Sequence, residues 1–255
     1  MREFVDGLVS VIIPVYNAGP VIQKTLNSIF DQTYRDHEII LVDDCSTDDS
    51  KEVIEKLLPE HPEIVYYRQE TNQGAAMARN KALELARGQY VAFLDADDLW
   101  KPEKTQKQLA LLKEKNGAFS YTAIEMIDEN GKIVKTKRKV KETATYRLLL
   151  RNTMIATSTV VIDRKKLGDF RMPLMRGGQD YATWLSLLRD GTVAYGINEA
   201  LEQYRVGNSG SLSGKKSKSI KQVWEIQTKQ EKINKFSAAF NLLCFVWNAA
   251  KKYLF

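Results

Sequence analysis

The stretch Gln89-Tyr-Val-Ala-Phe-Leu-Asp-Ala-Asp-Asp-Leu-Trp100 decides how the rest of this chain is read. Gln89 to Leu94 has the aromatic and aliphatic composition of a buried strand. It runs into three carboxylates within four positions, Asp95, Asp97 and Asp98. Carboxylates gathered at the end of a buried strand repel one another and are costly to desolvate, and a divalent cation is the commonest remedy. In extended backbone Asp95 and Asp97 point to the same side. Two hard oxygen ligands from one protein edge suit Mg²⁺ or Mn²⁺, with water and phosphate completing the shell. Asp98, just ahead of Leu-Trp-Lys-Pro, reads instead as the cap of the next helix.

Working outward, Leu8 to Asn17 is a continuous apolar run, as in a strand covered on both faces. Pro14 cannot donate to a ladder and should end or bulge that strand. Pro20 starts a helix with Val21, Ile22, Leu26, Ile29 and Phe30 inward. His37 to Asp43 is a second strand, followed by a turn and a helix carrying Val53, Ile54, Leu57 and Leu58. Ile64 to Tyr67 is a third, then Asn72-Gln-Gly74 and an alanine-rich helix that stops at Gly88. Beyond the acidic cluster Pro102 opens a helix that Gly117 closes. Four strand–helix alternations predict an α/β fold, a mostly parallel sheet with helices on both faces. Ligands in such sheets sit at the carboxyl ends of strands, so Tyr16-Asn17, Asp43-Asp44 and Asp95/Asp97 should border one cleft.

After residue 117 the pattern changes. Ala118–Asp128 and Lys132–Val140 read as a hairpin around Glu129-Asn-Gly131. Thr143–Leu150 reads as helix, Thr157–Ile162 as strand, Asp180–Arg189 as helix and Thr192–Val206 as strand pieces. Residues 207–218 read as a flexible basic loop, and a helical region runs from about Ile220 to the end.

The 255 residues fit one large domain or a domain with an extension. Cys45 and Cys244 make neither a disulfide framework nor a metal spacing, which points to a reducing compartment. The charged start has no apolar segment of signal-peptide type. Residues 1–100 hold nine Lys/Arg against eighteen Asp/Glu, whereas the remainder holds 29 basic against 14 acidic residues. Such asymmetry marks contact with an anionic surface. No nucleic-acid module is readable, so the expectation is a membrane surface and no nucleic acid.

With these landmarks placed, the chain resembles a family 2 glycosyltransferase of the GT-A fold. The match is carried by Val9-Ser-Val-Ile-Ile-Pro-Val-Tyr-Asn17, Val42-Asp-Asp-Cys-Ser-Thr-Asp48 and Gly74-Ala-Ala-Met-Ala-Arg-Asn80. Phe93-Leu-Asp-Ala-Asp-Asp98, Gln179-Asp180 and Tyr204-Arg205 complete it. The length and Gly178–Trp184 look most like bacterial enzymes of capsule, O-antigen or teichuronic-acid assembly. The resemblance implies a catalytic domain over residues 1–213, with 1–117 its nucleotide-binding half and 118–213 its acceptor-binding half. Residues 214–255 would then be a basic linker and an amphipathic helical extension.

The roles implied are those of a metal-dependent inverting transferase using a UDP-sugar. Asp44 matches the acceptor for the uracil N3–H, a task suited to a carboxylate. Tyr16 matches an aromatic that packs on the base, and Pro14, in the same motif, is assigned to the nucleotide site with it. Arg79 matches a basic nucleotide contact, or a surface helix residue. Asp97 matches the metal ligand on the diphosphate and Asp95 the ribose-side carboxylate, so Mn²⁺ or Mg²⁺ is the expected cofactor. Asp180 matches the general base, though a first-turn helix carboxylate would look the same. Arg205 could reach the diphosphate or pair with a helix end, and the loop after it could close as a lid. Arg171 and Arg176 could meet an anionic acceptor such as a lipid diphosphate. The sequence departs from the common pattern at Gln179, where many members have Glu, and at Cys45, where Gly or Asn is frequent.

Other classes compete. A non-catalytic sugar-nucleotide-binding or scaffolding subunit would not need Asp44, Asp95, Asp97 and Asp180 together. A nicotinamide dehydrogenase would carry Gly-x-Gly-x-x-Gly after the first strand, where Pro14-Val-Tyr-Asn-Ala stands. A nucleotidyltransferase would show a glycine-rich basic loop there. At the other end, the uncharged run Phe236–Ala250 has 15 residues. That is about 22 Å of helix against about 30 Å of hydrocarbon, too short to span. An interfacial helix flanked by Lys215, Lys216, Lys218, Lys221, Lys251 and Lys252 is expected, placing the enzyme at the cytoplasmic face of the cell membrane. Packing onto the domain or into a homodimer is the alternative.

Overall fold

The computed structural model describes residues 3–206 and 216–254, except the side chains of 135–137, 216–218 and 249–254. In chain order the first half comprises β1 (Val5–Val15), α1 (Gly19–Phe30), β2 (His37–Asp43), α2 (Ser50–Leu57), β3 (Ile64–Arg68), α3 (Ala75–Leu85) and β4 (Gly88–Phe93). The second half begins with β5 (Leu99–Trp100), α4 (Lys104–Glu114), β6 (Phe119–Ile127), β7 (Ile133–Arg138), β8 (Thr143–Ala144) and α5 (Tyr146–Arg151). It continues with β9 (Val161–Asp163), α6 (Arg164–Leu167), α7 (Gln179–Leu188), β10 (Ala194–Arg205), α8 (Lys216–Glu225) and α9 (Lys235–Leu254).

One sheet runs β3-β2-β1-β4-β9-β6-β10-β5, with β7 and β8 pairing off its path. The first four strands are parallel, as four strand–helix alternations require, whereas β9 is antiparallel to both β4 and β6. The run in β1 is apolar because the strand is central and covered on both faces, and its one buried polar residue, Ser10, donates to Glu38 Oε1 at 2.7 Å. Ile12 enters a core with Ala78, Ala82 and Trp184, while Val11, Ile13 and Val15 enter a second core with Ile22, Leu26 and Ile54.

Pro14 does not end β1. The ladder to β4 stops at Ile12, paired with Phe93, but the ladder to β2 continues through Pro14 to Val15, paired with Asp43. Pro14 shares the parity of Ile12, whose carbonyl accepts from Leu94 on the β4 side. Its missing N–H therefore falls where β4 has already left the strand.

Two further expectations are corrected. Asp98 caps no helix: Leu99 and Trp100 pair with β10, and α4 begins only at Lys104 with Glu103 at its cap position. Thr157–Thr159 is a 3₁₀ turn, and the strand begins only at Val161.

The terminal helices join the hydrophobic core. Val223 and Ile226 pack in the cluster of Trp184 and Leu185. Gln227 donates to Leu150 O at 2.7 Å and to the Tyr181 hydroxyl at 3.1 Å, and Asn241 donates to Gln227 at 3.2 Å. Residues 207–215, expected as a lid, and the side chains of Lys216, Lys218, Lys251, Lys252 and Leu254 lie outside the described residues. Among the described residues no helix is long and apolar enough to cross a membrane.

Candidate active site

The candidate site is built where β1, β2 and β4 end. At its nucleotide end Asp44 follows β2, and its amide donates to Val15 O at 2.8 Å, tying the two strand ends together. The carboxylate is 3% exposed. Its Oδ1 accepts from the Gln73 amide at 2.7 Å and from Gln69 Nε2, and its Oδ2 accepts from the Gly74 amide at 2.7 Å. A carboxylate has about four acceptor positions, so these three donors leave Oδ2 able to accept one more. Gly74 has φ of +88° at the start of α3, a conformation only glycine adopts freely. Tyr16, half exposed, follows the partly exposed Pro14 at the end of β1.

Asn17 and Cys45, at the ends of β1 and β2, take φ of +50° and +61°. Asn17 is held by its side-chain oxygen, which accepts from Thr47 N at 2.8 Å, and by its amide, which donates to Ser46 Oγ at 3.0 Å. The positive φ at Cys45 is the physical reason for Gly or Asn at that place: a Cβ is penalised there.

The acidic cluster is a turn, not extended backbone, since Asp98 N donates to Asp95 O at 3.1 Å. The same-side argument from strand alternation therefore does not apply to Asp95 and Asp97. Instead the turn is clamped at successive groups. Asp95 N donates to Ser158 Oγ at 3.0 Å, Thr25 Oγ1 donates to Ala96 O at 2.8 Å, and Arg205 Nε donates to Asp97 O at 2.9 Å. Asp98, 1% exposed, accepts from Ser158 Oγ at 2.8 Å and from Arg205 N at 3.0 Å. Its role is to staple the turn to β10, which puts the Asp95 and Asp97 carboxylates on the more exposed side chains of the cluster.

Arg79, buried on α3, is ion-paired with Asp95. Arg205 gives its other hydrogen bonds to Asp128 O at 2.9 Å and Glu129 O at 2.8 Å, so its guanidinium locks the turn against the β6–β7 hairpin. Beneath the turn Glu202 is wholly buried beside Asp98. Burial, then the neighbouring carboxylates, raise Asp98 well above the usual range, and burial pushes Glu202 up to about 8. Lys104, equally buried with Nζ 3.9 Å from the Trp100 ring centroid, is pushed down to about 7 by burial.

Asp180 lies in the first turn of α7, and its Oδ2 accepts from Thr157 Oγ1 at 3.2 Å. Gly177 and Gly178 lead into the helix with φ of +91° and +76°. A Cβ on either would strike α8 or the turn after it, at Gln222 Nε2 (2.5 Å) or Ile226 Cδ1 (2.9 Å). The C-terminal segment thus braces the helix that carries Asp180. Gln179 is buried, and its Oε1 has no hydrogen bond among the described residues. Arg171 pairs with Asp169 at 2.9 Å, and Arg176 offers its carbonyl to Gln222.

The structure thus brings Asp95 and Asp180 together through consecutive residues, Ser158 and Thr157. Neither hydroxyl was singled out from sequence; the run Thr157-Ser-Thr159 before an apolar strand is the signal that was available. Among the described residues no group of three or more His, Cys, Asp or Glu side chains could hold a metal. Asp95 and Asp97 are the less buried carboxylates of the turn, hard oxygen donors of the kind that Mg²⁺ or Mn²⁺ takes when diphosphate and water supply the other ligands.

Residues 10–170 match the family model for glycosyl transferase family 2. A Bacillus subtilis protein named for teichuronic acid biosynthesis, the glycosyltransferase TuaG, is 43% identical over 249 residues, 97% of this chain and 98% of that one. The Escherichia coli UDP-Glc:α-D-GlcNAc-diphosphoundecaprenol β-1,3-glucosyltransferase WfgD is 36% identical over 222 residues, 87% of this chain and 85% of that one. The crystal structure of residues 1–349 of S. aureus TarS with UDP-GlcNAc superimposes with a TM-score of 0.71 at 22% identity, covering 93% of this chain and 71% of that one. With the doubly wound sheet, the clamped acidic turn and these matches in hand, the chain belongs to glycosyltransferase family 2 and is an enzyme of the GT-A fold.

Proposed function

We propose that the protein transfers a sugar, with inversion, from a UDP-sugar to a lipid-diphosphate-linked saccharide during synthesis of a cell-surface polysaccharide. The observation that carries this reading is the pair of hydrogen bonds from Thr157 to Asp180 and from Asp95 N to Ser158, which link the acceptor-side carboxylate to the acidic turn. The donor and acceptor classes follow from the relatives: WfgD is named for a UDP-Glc donor, a diphosphoundecaprenol-linked acceptor and a β-1,3 product, and TuaG for teichuronic acid biosynthesis.

In this reading the last acceptor position of Asp44 takes the uracil N3–H, and Tyr16 covers the base beside Pro14. Asp95 and Asp97 are the residues that would hold Mn²⁺ or Mg²⁺, which would supply positive charge to offset that of the departing UDP. Arg79 orients Asp95 through their ion pair and adds positive charge next to the nucleotide. Arg205 acts from behind, fixing Asp97 through its carbonyl. Asp180 takes the proton from the acceptor hydroxyl as that oxygen attacks the anomeric carbon opposite UDP, a contribution of roughly 10²–10⁴-fold. The apolar outer face of α9 and its lysines attach the enzyme peripherally to the cytoplasmic face of the membrane, where such an acceptor is found.

The test is UDP release by purified protein given UDP-glucose, UDP-GlcNAc or other UDP-sugars and a diphosphate-linked saccharide. Release is expected to require both substrates, to stop in EDTA or with Asp97→Ala, and to return to the wild type with Mn²⁺. The anomeric configuration of the product, read by NMR, should be opposite to that of the donor. Full transfer in excess EDTA overturns the metal, retention overturns the base, and tight UDP-sugar binding without turnover on any acceptor supports the binding-subunit reading.

A further inference from the structure

We propose that the consecutive residues Thr157 and Ser158 are positioning residues that set the span between the donor-side turn and the base. The assignment rests on the reading of Asp95, Asp97 and Asp180 given above. Both hydroxyls belong to the 3₁₀ turn Thr157–Thr159, and both residues are buried. The Ser158 hydroxyl works both as acceptor and as donor. It accepts from Asp95 N at 3.0 Å, so its own proton is committed to Asp98 Oδ2 at 2.8 Å. Its carbonyl is fixed in turn by the Trp100 indole N–H at 2.9 Å. Asp98 passes the restraint to β10 through Arg205 N, and Arg205 returns it to Asp97 O. One residue earlier, the Thr157 hydroxyl donates to Asp180 Oδ2.

The consequence is geometric. Donor carbon and acceptor hydroxyl must meet within a few tenths of an ångström of the reactive separation, and misplacement by about 1 Å costs about a hundredfold. The Asp95–Asp97 turn and Asp180 come from β4 and α7, which share no ladder. The shortest covalent route between their polar contacts is the single peptide linking Thr157 to Ser158. Removing the Ser158 hydroxyl leaves Asp95 N–H and Asp98 Oδ2 each short of a partner, and the turn is then free to reorient. Removing the Thr157 hydroxyl frees the Asp180 carboxylate to swing without touching the turn. Ser158→Ala and Thr157→Val are close to isosteric, so packing alone predicts little effect from either.

Mn²⁺ uptake in the presence of UDP, followed by electron paramagnetic resonance, separates the two arms from activity. Ser158→Ala should weaken Mn²⁺ binding by about ten- to a hundredfold, as loss of an outer-sphere partner does at other metal sites. Thr157→Val should bind Mn²⁺ and UDP as the wild type does but lose about ten- to a hundredfold in kcat, with KM for the donor unchanged. Thr157→Ser, which keeps the hydroxyl, should recover most of that loss. Ser158→Ala protein changed only in melting temperature, with a wild-type Mn²⁺ titration, overturns the donor-side arm. Equal kcat for Thr157→Val and Thr157→Ser overturns the base arm, whether or not the Ser158 variant folds. Wild-type protein that takes up no Mn²⁺ with UDP overturns the metal reading and Ser158's part with it, and the Thr157 pair then decides what is left.

Discussion

Arg79 on α3 and Asp95 just after β4 form an ion pair, with the arginine side chain 7% and the aspartate side chain 34% exposed. The arginine Nε has no hydrogen bond among the described residues, so the pair is the main compensation for burying that guanidinium. Arg79→Leu should therefore lower stability by about 1–3 kcal/mol and weaken UDP binding, the exposure of Asp95 keeping the loss below that of a fully buried pair. Urea denaturation of Arg79→Leu, Asp95→Asn and the double variant should give a coupling energy of about 1–2 kcal/mol.

Asp180→Asn preserves size and can still accept from Thr157, but it cannot take a proton from the acceptor. Turnover should fall by about 10²-fold or more. UDP affinity, measured by calorimetry, should stay within about twofold of wild type, because the hydrogen bond of the Asp180 carboxylate goes to Thr157 and not to the Asp44 end of the site. A variant that transfers sugar at the wild-type rate would leave Asp180 as an ordinary first-turn carboxylate.

Glu202 ties stability to pH. Burial raises its carboxyl from 4.5 to about 8 in the fold, so between those values the native state holds a proton that the unfolded chain has lost. Stability from this group is complete below about pH 4.5 and is lost as pH rises through about 8. Glu202→Gln carries no such proton. Relative to the wild type it should gain stability steadily between pH 5 and 8, by on the order of a few kcal/mol over the window. Guanidinium midpoints for the two proteins at half-unit pH steps would measure it. Lys104, lowered to about 7, opposes the trend only above neutrality, where its release of a proton on folding favours the native state as pH rises.

The frame of this candidate site is legible in the sequence. The apolar run of β1 predicted a central strand, and the alternation that followed predicted where Asp44, Asp95 and Asp97 would gather, because strand ends in a parallel sheet share one edge. What escaped notice depends on contacts distant in sequence. Ser158 meets Asp95 across 63 positions, and Asp98 meets Arg205 across 107. No local pattern in a serine or a threonine announces such a partner. Asp98 misled for the opposite reason. A carboxylate four residues before Pro102 has the local appearance of a helix cap, and only pairing with β10 turns residues 99 and 100 into a strand.

Cys45 offers a stabilising change that sequence composition alone would not justify. Its φ of +61° places a Cβ in the left-handed region, a cost of roughly 1–2 kcal/mol for a non-glycine residue. Glycine there relieves that strain at the expense of a more flexible unfolded chain. Cys45→Gly should leave UDP affinity unchanged and raise or hold the melting temperature. Cys45→Val, β-branched and φ-positive, should lower it by several degrees in the same scan.

Helix α9 presents two faces of different character. Ala238 and Asn241 are buried against the domain, with Asn241 accepting from Arg151 Nε at 3.2 Å. On the outer face Phe236, Phe240, Leu243 and Trp247 are 92%, 54%, 70% and 62% exposed, and Val246 adds to them. A row of large apolar side chains kept in water asks for a cover. In the proposed reading that cover is a membrane, for which the charge is suited: from Lys232 to Phe255 there are four lysines and no Asp or Glu, and the Arg151 guanidinium stands 5.1 Å from the Phe240 ring centroid. Each large apolar side chain that enters the lipid is worth roughly 1.5–3 kcal/mol, and each basic residue near an anionic surface about 1 kcal/mol. Together they suffice for reversible attachment of a helix lying in the interface. Full-length protein should co-sediment with phosphatidylglycerol vesicles and much less with phosphatidylcholine alone. The triple variant Phe236→Glu, Leu243→Glu, Trp247→Glu should stay in the supernatant while binding UDP normally, since all three side chains point away from the core. If the wild type stays in solution with anionic vesicles and sediments as a dimer that the triple variant abolishes, the face is an interface between two copies of the chain.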